Sequence, residues 1–287
     1  MADKVTAIPR SQNLMTREEF MRLKTIHDNN PWLAYENVNG LYELWEFADN
    51  DVQKELLEFL IDNFSYVGSD KFREACKSIA YQIESEWELS PQNTIITAIC
   101  DNSEPDGSQF LLQAIKNKLF GGWKDALYNA ITTAAHNASS NSNFVIIDDF
   151  IGTGDKVTRK IKYVYDTFTK IGVKDVKVYV CSLAAMSFSK QVIESSTESM
   201  YSYMYLSKGI SELAPEDKRD IYFSAMISLE DYLHWSKKQN KRFSLGYMKS
   251  EALFSLESTN VPNNVFPIFW WRYVKPGVER LPLLRRL

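Results

Sequence analysis

The segment from residue 144 to residue 183 constrains the fold more than any other part of the chain. Phe144–Ile147 is an uninterrupted apolar run, typical of a strand buried on both faces of a sheet. After a glycine turn, apolar residues recur at the 3.6-residue period of an amphipathic helix that Gly172 ends, and Val176–Leu183 is predicted as the next strand. Strand, helix and strand predict a βαβ unit, and therefore a parallel sheet with a right-handed crossover. The apolar helix positions are Val157, Ile161, Val164, Phe168 and Ile171.

Composition narrows the classes of protein that fit. Hydrophobic residues make up 45% of the 287 residues and charged residues 24%, a globular balance that excludes extended disorder. The 33 basic and 37 acidic residues give a net charge of −4, which disfavours a generally basic nucleic-acid binder but not a local basic patch. No apolar run approaches the roughly 20 residues of a membrane helix, and the first residues contain no apolar signal segment.

The number and spacing of the cysteines indicate whether the protein is expected in a reducing or an oxidising compartment. Cys76, Cys100 and Cys181 are odd in number and form no CxxC pair, so neither a disulfide scaffold nor a zinc knuckle is indicated. We therefore expect a reduced, cytoplasmic protein with no membrane partner.

The pattern along the chain predicts three regions. Residues 1–90 are predicted to be a loose arm and a helical module, with a capping box at Thr16–Glu19 and leucine-rich helical stripes after it. Residues 91–271 are the predicted sheet domain, and residues 272–287 a basic, solvated C-terminal tail. The elements predicted beyond the βαβ unit are a strand at Thr94–Cys100, a helix from Trp123 to Ala135, a strand at 199–206, a helix at Pro215–Gln239 and a last strand at Glu251–Leu256.

Two acids and two glycines follow the first strand of the βαβ unit. Asp148 and Asp149 lie where ligands bind in α/β sheets, and Gly152 and Gly154 let the backbone curl around an anion at a helix N-terminus. This pattern favours a phosphate attached to a ribose, whose hydroxyls meet the acids, with a hydrated Mg²⁺ close by. A Walker A loop is absent, and Val157 replaces the third glycine of a dinucleotide-binding loop. A plain βα turn with solvated acids stays open as the alternative.

The segment Val145–Lys156 resembles the phosphoribosyl-pyrophosphate (PRPP) motif of type I phosphoribosyltransferases. The resemblance implies that type I fold, with a parallel sheet flanked by helices beside the N-terminal helical module. It implies that Asp148 and Asp149 are the catalytic acids, facing the ribose hydroxyls and reaching Mg²⁺ through ligand or water. The family loop commonly continues with glycine and threonine where this chain has Asp155 and Lys156, which puts turnover in doubt more than binding. The implied phosphate-binding residues are Ile151, Gly152, Thr153, Gly154, Asp155 and Lys156.

Two further loops are candidate ligand contacts. Asp106, Gly107 and Ser108 stand where the family has a pyrophosphate loop, although an ordinary glycine turn with a helix cap gives the same pattern. Asn263 and Asn264 follow Pro262 in a turn whose amides could read a base edge, although such amides often stabilise only their own turn.

A narrower resemblance extends over most of residues 40–272. The features are the helical segment with Leu44-Trp45, the motif at 148–155, and the late segments from Gly246 and from Thr259. They resemble the phosphoribosyltransferase-like proteins of prokaryotic conflict systems, some of which are encoded beside retrons. That resemblance implies an effector in antiviral defence. Its alternative is an inactive sensor or interaction subunit held by a partner such as a reverse transcriptase carrying its DNA.

Overall fold

The computed structural model describes residues 15–100, 106–138, 143–173 and 175–286. The predicted N-terminal arm lies almost wholly outside these residues, as do residues 101–105 of the loop before Asp106. Among the helices that the model describes, none combines the length and the apolar character that a bilayer crossing requires.

The described residues form α-helices and β-strands that alternate through the middle of the chain. The α-helices are α1 (Arg17–Asn29), α2 (Val38–Glu46), α3 (Asp51–Asp62), α4 (Ser69–Tyr81), α5 (Gly107–Lys116), α6 (Ile131–His136), α7 (Asp155–Ile171), α8 (Lys190–Glu194), α9 (Arg219–Glu230) and α10 (Lys237–Phe243). The strands are β1 (Ser65–Val67), β2 (Thr94–Ala98), β3 (Leu127–Tyr128), β4 (Asn143–Ile151), β5 (Lys177–Met186), β6 (Ser199–Leu206), β7 (Phe254–Leu256), β8 (Tyr273–Val274) and β9 (Val278–Glu279).

The chain forms two compact units. Unit 2 is the continuous stretch Ser69–Ser207, and unit 1 combines the residues up to Gly68 with those from Lys208 onward. These limits differ from the predicted limits at residues 90 and 271. In the structure α4 packs on strands β5 and β6, and α9 packs on α3, so contacts between distant segments define the units.

Unit 2 is built on a five-stranded parallel sheet in the order β3-β2-β4-β5-β6. The predicted βαβ unit is confirmed as β4, α7 and β5, and β4 is the central strand. Helices α6 and α7 cover the face that carries Phe144 and Ile146. Val145 and Ile147 on the opposite face are also buried, and this burial on both faces explains the unbroken apolar run.

Three predicted elements are corrected by the structure. The predicted helix at 123–135 is instead a 3₁₀ turn, the edge strand β3 and α6, because Leu127 and Tyr128 pair with β2. The predicted helix at 215–239 ends at Glu230, because Leu233 forms a β-bridge with Val274 and Ser236 caps a new helix. The strand predicted at 251–256 is reduced to β7 and is not the last, because β8 and β9 pair after it.

Unit 1 packs helices around short strand pairs. Strands β1 and β7 pair in parallel, and β8 and β9 pair antiparallel. The tail after residue 272 is only partly solvated, because exposed residues alternate there with buried ones. Leu283 and Leu284 are buried, and the buried Arg280 guanidinium donates a hydrogen bond to the Trp271 carbonyl at 2.7 Å.

Candidate active site

The acid pair lies near the carboxyl end of β4, at the point where the sheet changes direction. From β2 the chain moves outward to β3 and then returns to β4, from which β5 and β6 continue toward the other edge. The switch point between β2 and β4 is where open α/β sheets bind ligands. Asp148, opposite Ser182 of β5, is only 2% exposed, and Asp149 is half-buried.

Asp106 reaches this switch point from the neighbouring strand. It is the N-cap of α5, and its carboxylate accepts a hydrogen bond from the backbone N–H of Ser108 at 2.8 Å. Asp106 therefore caps the helix, and a pyrophosphate contact by residues 106–108 stays a prediction. At Gly107 a Cβ would lie 2.2 Å from an Asp149 carboxylate oxygen, so any larger residue there would displace the Asp149 carboxylate.

Asp106, Asp148 and Asp149 form one cluster of carboxylates. One oxygen from each lies within 4.8 Å of the others. The Lys156 ammonium, from the first turn of α7, lies 3.4 Å from an Asp106 oxygen and 3.5 Å from an Asp148 oxygen. Two of the three carboxylates thus form ion pairs with one ammonium.

Burial and mutual repulsion set the protonation of this cluster. Burial first, and the neighbouring carboxylates after it, hold the pKa of Asp148 well above its ordinary value, against the attraction of Lys156. The pKa of Asp149 is raised by burial and by Asp106. Burial disfavours the Lys156 ammonium, but the three carboxylates outweigh it and raise the pKa of Lys156. Burial also opposes ionisation of Asp106, yet Lys156 and Ser108 lower its pKa.

The glycine turn opens α7 beside the acids. Gly154 has φ +84°, a left-handed conformation that glycine adopts without strain, and the helix begins at Asp155. The first N–H groups of a helix have no partner within the helix, so they can bind an anion. Asp155 is exposed at this first turn, whereas Gly152 is buried. Ile151 is the last residue of β4, and the predicted loop therefore joins β4 to α7.

The predicted residues fall in two places. Residues 106–108, 148–149 and 151–156 lie together in unit 2, whereas Asn263 and Asn264 belong to unit 1. The Asn264 amide is largely buried and donates to the Ser250 hydroxyl at 3.0 Å, and the Asn263 carbonyl accepts from the Tyr247 N–H at 2.8 Å. A ligand role for these two side chains stays a prediction.

Two features of the site were not anticipated from the sequence. Lys156 contacts the acids, whereas the sequence suggested a phosphate contact. The Ser108 hydroxyl is buried with no hydrogen-bond partner among the described residues. The three carboxylates are hard oxygen donors of the kind that bind Mg²⁺, so the donor set fits that ion, with Asp106 as a third donor beside the predicted pair.

Comparison with known proteins identifies the family. The PRTase-CE family model matches residues 44–286. No curated protein matches the chain. Among solved structures, orotate phosphoribosyltransferase from Aeropyrum pernix is similar at 9% identity and a TM-score of 0.32, over 46% of this chain and 69% of that one. A hypoxanthine phosphoribosyltransferase from Staphylococcus aureus is similar at 11% identity and a TM-score of 0.31, over 50% and 80%.

The family match covers most of the chain, including all of unit 2, most of unit 1 and every candidate site residue. The chain therefore belongs to the PRTase-CE family of phosphoribosyltransferase-like proteins.

Proposed function

We propose that this protein binds a ribose-phosphate ligand, PRPP or a nucleotide, together with Mg²⁺ at the switch point of unit 2. The observation that carries the proposal is the carboxylate cluster of Asp106, Asp148 and Asp149 beside the glycine turn that opens α7. Anion-binding N–H groups next to hydroxyl-binding carboxylates match a molecule that joins a phosphate to a sugar.

Each part of the site has a role in this proposal. The N–H groups from Gly152 to Lys156 hold the 5′-phosphate, and Asp148 and Asp149 accept hydrogen bonds from the ribose hydroxyls. Asp106, on the neighbouring strand's loop, faces the same space and, with the acid pair, would hold Mg²⁺ directly or through water. When bound, Mg²⁺ supplies positive charge to a leaving pyrophosphate. The protein's own contribution to transfer at ribose C1 is positioning and stabilisation of charge.

Lys156 favours a second candidate, a ligand sensor without turnover. Its ammonium neutralises Asp106 and Asp148, where an active transferase would present free acids to the sugar. In this candidate, ligand binding releases Lys156 from the acids and is read out by a partner subunit, such as a reverse transcriptase with its DNA.

Calorimetry with PRPP, with and without Mg²⁺, tests binding, and a pyrophosphate-release assay separates the two candidates. Binding with release supports the transferase, and binding alone supports the sensor. The double variant Asp148→Asn with Asp149→Asn should bind at least roughly tenfold more weakly, with a larger loss when Mg²⁺ is present. The matched control is Asp125→Asn with Asp166→Asn, which removes two exposed charges from the same unit. Unchanged PRPP binding by the first variant would overturn the proposal.

The proposed biological role is that of a cytoplasmic effector in antiviral defence. The test compares phage plaque counts on two sets of cells, each expressing the protein with its neighbouring genes. Cells with the variant in which both site acids are replaced by Asn should give more plaques than cells with the wild-type protein. Equal protection by both proteins would contradict this role.

A further inference from the structure

Unit 1 contains a stretch whose charge is opposite to that of the whole chain. Residues 232–250 hold five Lys or Arg and no Asp or Glu, in a protein of net charge −4. Four aromatic residues and a histidine are interleaved with these cations. The cations are Lys237, Lys238, Lys241, Arg242 and Lys249.

Three of these four aromatic residues assemble with Trp271 into a continuous, half-buried surface. We call the rings of Trp235, Phe243, Tyr247 and Trp271 the aromatic platform. Trp271 lies 5.4 Å from Trp235 and 6.1 Å from Phe243, and Phe243 lies 6.3 Å from Tyr247, between ring centroids. All four side chains keep part of their surface in solvent. The Arg242 guanidinium carbon lies 5.2 Å from the centroid of the Tyr247 ring and 5.4 Å from that of Phe243.

The backbone beneath the platform is strained and held from several sides. Leu245, Met248 and Lys249 have φ of 60°, 55° and 55°, a left-handed conformation that is costly for residues other than glycine. A Cβ at Gly246, whose φ is +79°, would lie 1.9 Å from the Asn264 carbonyl oxygen. The hydrogen bond from the Tyr247 N–H to Asn263 then anchors the ring-bearing residue itself. Strain of this kind persists where a surface must keep one shape.

Rings interleaved with cations match one kind of partner. Single-stranded nucleic acid presents both unpaired bases, which stack on aromatic rings, and phosphates, which attract Lys and Arg. A duplex hides the base faces, and an acidic peptide engages the cations without using the rings. We infer that the aromatic platform and the side chains of Lys237, Lys238, Arg242 and Lys249 form a binding surface for single-stranded nucleic acid. This inference is independent of the ribose-phosphate site of unit 2.

The test is fluorescence anisotropy with an oligothymidylate of about 20 nucleotides, longer than the site of one binding module. The oligonucleotide carries its label at the 3′ end and a 5′-hydroxyl, so that no terminal phosphate can enter the site in unit 2. We expect binding that weakens as salt increases, and binding of a duplex of equal length that is roughly tenfold weaker.

Variants separate stacking from charge. Tyr247→Ala should weaken binding roughly tenfold, whereas Tyr247→Phe, which keeps the ring, should bind as wild type does. Lys237→Gln with Lys238→Gln should weaken binding and reduce the slope of log affinity against log salt by about 1.4. Lys71→Gln with Lys77→Gln, which removes two exposed charges from α4, should leave it unchanged. The charge variant keeps the test decisive if Tyr247→Ala fails to fold.

Three outcomes would overturn the inference. The protein would not bind the oligonucleotide at low salt, or it would bind duplex and single strand with equal affinity. Alternatively, polyglutamate would displace the labelled oligonucleotide as strongly as unlabelled oligonucleotide does. Weakened oligonucleotide binding by the double Asn variant of Asp148 and Asp149 would likewise assign the binding to unit 2 and overturn it. Loss of PRPP binding in that variant, with oligonucleotide binding intact, distinguishes the two sites.

Discussion

In unit 1 the carboxylate of Glu251 is 2% exposed and is surrounded by donors from its own unit. It accepts hydrogen bonds from the N–H groups of Ile210 and Ser211 at 2.9 and 2.7 Å, and from the Ser211 hydroxyl at 2.5 Å. Asp148 of unit 2 is equally buried, yet its neighbours are two further carboxylates and one lysine. A buried charge costs free energy unless it is paired and hydrogen-bonded. Glu251 thus has donors on its own backbone and side-chain neighbours, whereas the only cation near Asp148 among the described residues is Lys156. Under the proposed function, a ligand or Mg²⁺ would supply the missing partners of the cluster in unit 2.

Glu230 is an intermediate case in unit 1. Its carboxylate accepts from the Ser244 hydroxyl at 2.6 Å and from the Leu245 N–H at 2.9 Å. Burial outweighs these two bonds and raises the pKa of Glu230 to about 7. The protonation of Glu230 therefore changes near neutral pH.

Removing the best-satisfied acid should have the largest effect. Glu251→Ala leaves two backbone N–H groups and a hydroxyl without their acceptor, so we expect a loss of about 3 kcal/mol in the free energy of unfolding. Urea denaturation measures it, with the exposed Glu216→Ala as control. Glu251→Gln should cost much less, because the Ser211 hydroxyl can rotate to accept from the new amide. A loss of less than about 1 kcal/mol for Glu251→Ala would show that Glu251 does not stabilise the fold, and the contrast with the acids of unit 2 would no longer hold.

Glu230 should make stability depend on pH. Its pKa in the folded protein, about 7, lies above its ordinary value of 4.5, so the folded state binds the proton more tightly. The stabilisation is complete below pH 4.5 and is lost as pH rises toward 7. In the wild-type protein, Glu230 should lower the free energy of unfolding by about 1.4 kcal/mol per pH unit between pH 5 and 7, and Glu230→Gln should abolish this contribution to the slope. An unchanged slope in urea titrations across this range would show that Glu230 is ionised throughout.

The acids of unit 2 should behave in the opposite way to Glu251. Asp148→Asn with Asp149→Asn relieves repulsion between buried neighbours, and we expect the free energy of unfolding at pH 8 to rise by about 1 kcal/mol. Thermal melts with and without PRPP and Mg²⁺ measure the stability and the ligand-induced shift. A variant that melts well below wild type and keeps the ligand shift would show that the acids are structural.

The smallest effect is expected at Lys156. Lys156→Met removes the ammonium that favours ionised acids, so the raised pKa of Asp148 should rise further and stability should fall more steeply as pH increases. We expect a loss under about 1 kcal/mol at pH 8, because the side chain is 44% exposed and solvent screens the pair. The loss should be smaller at pH 5, where the pair with Asp106 is still lost but Asp148, whose pKa is raised, is less ionised. Lys162→Met is the control, and urea curves at the two pH values are the measurement. An equal loss at both pH values would show that Asp148 does not contribute to the effect.

The central strand and the acid pair were predictable because their signals are local. Phe144–Ile147 is apolar throughout because β4 is covered on both faces. The turn before α7 needs a left-handed residue, and glycine at position 154 marks that turn in the sequence. The end of α9 at Glu230 was not predictable, because the helical period continues to Leu233, whose backbone pairs with Val274. The position of the Lys156 ammonium was also hidden, since it depends on Asp106, which is 50 residues away in sequence.

The arrangement of the two units fixes an order of events during synthesis. Ser65 of β1 pairs with Phe254 of β7, so the N-terminal segment of unit 1 acquires its partner strand only after all of unit 2 has been translated. At about 5–20 residues per second, the wait is on the order of 10–40 seconds. Leu56 and Leu57 of α3, which are fully buried in the finished protein, precede unit 2 in the chain, whereas α9, on which α3 packs, follows it. Unit 2 is therefore available to fold before α3 meets that partner helix.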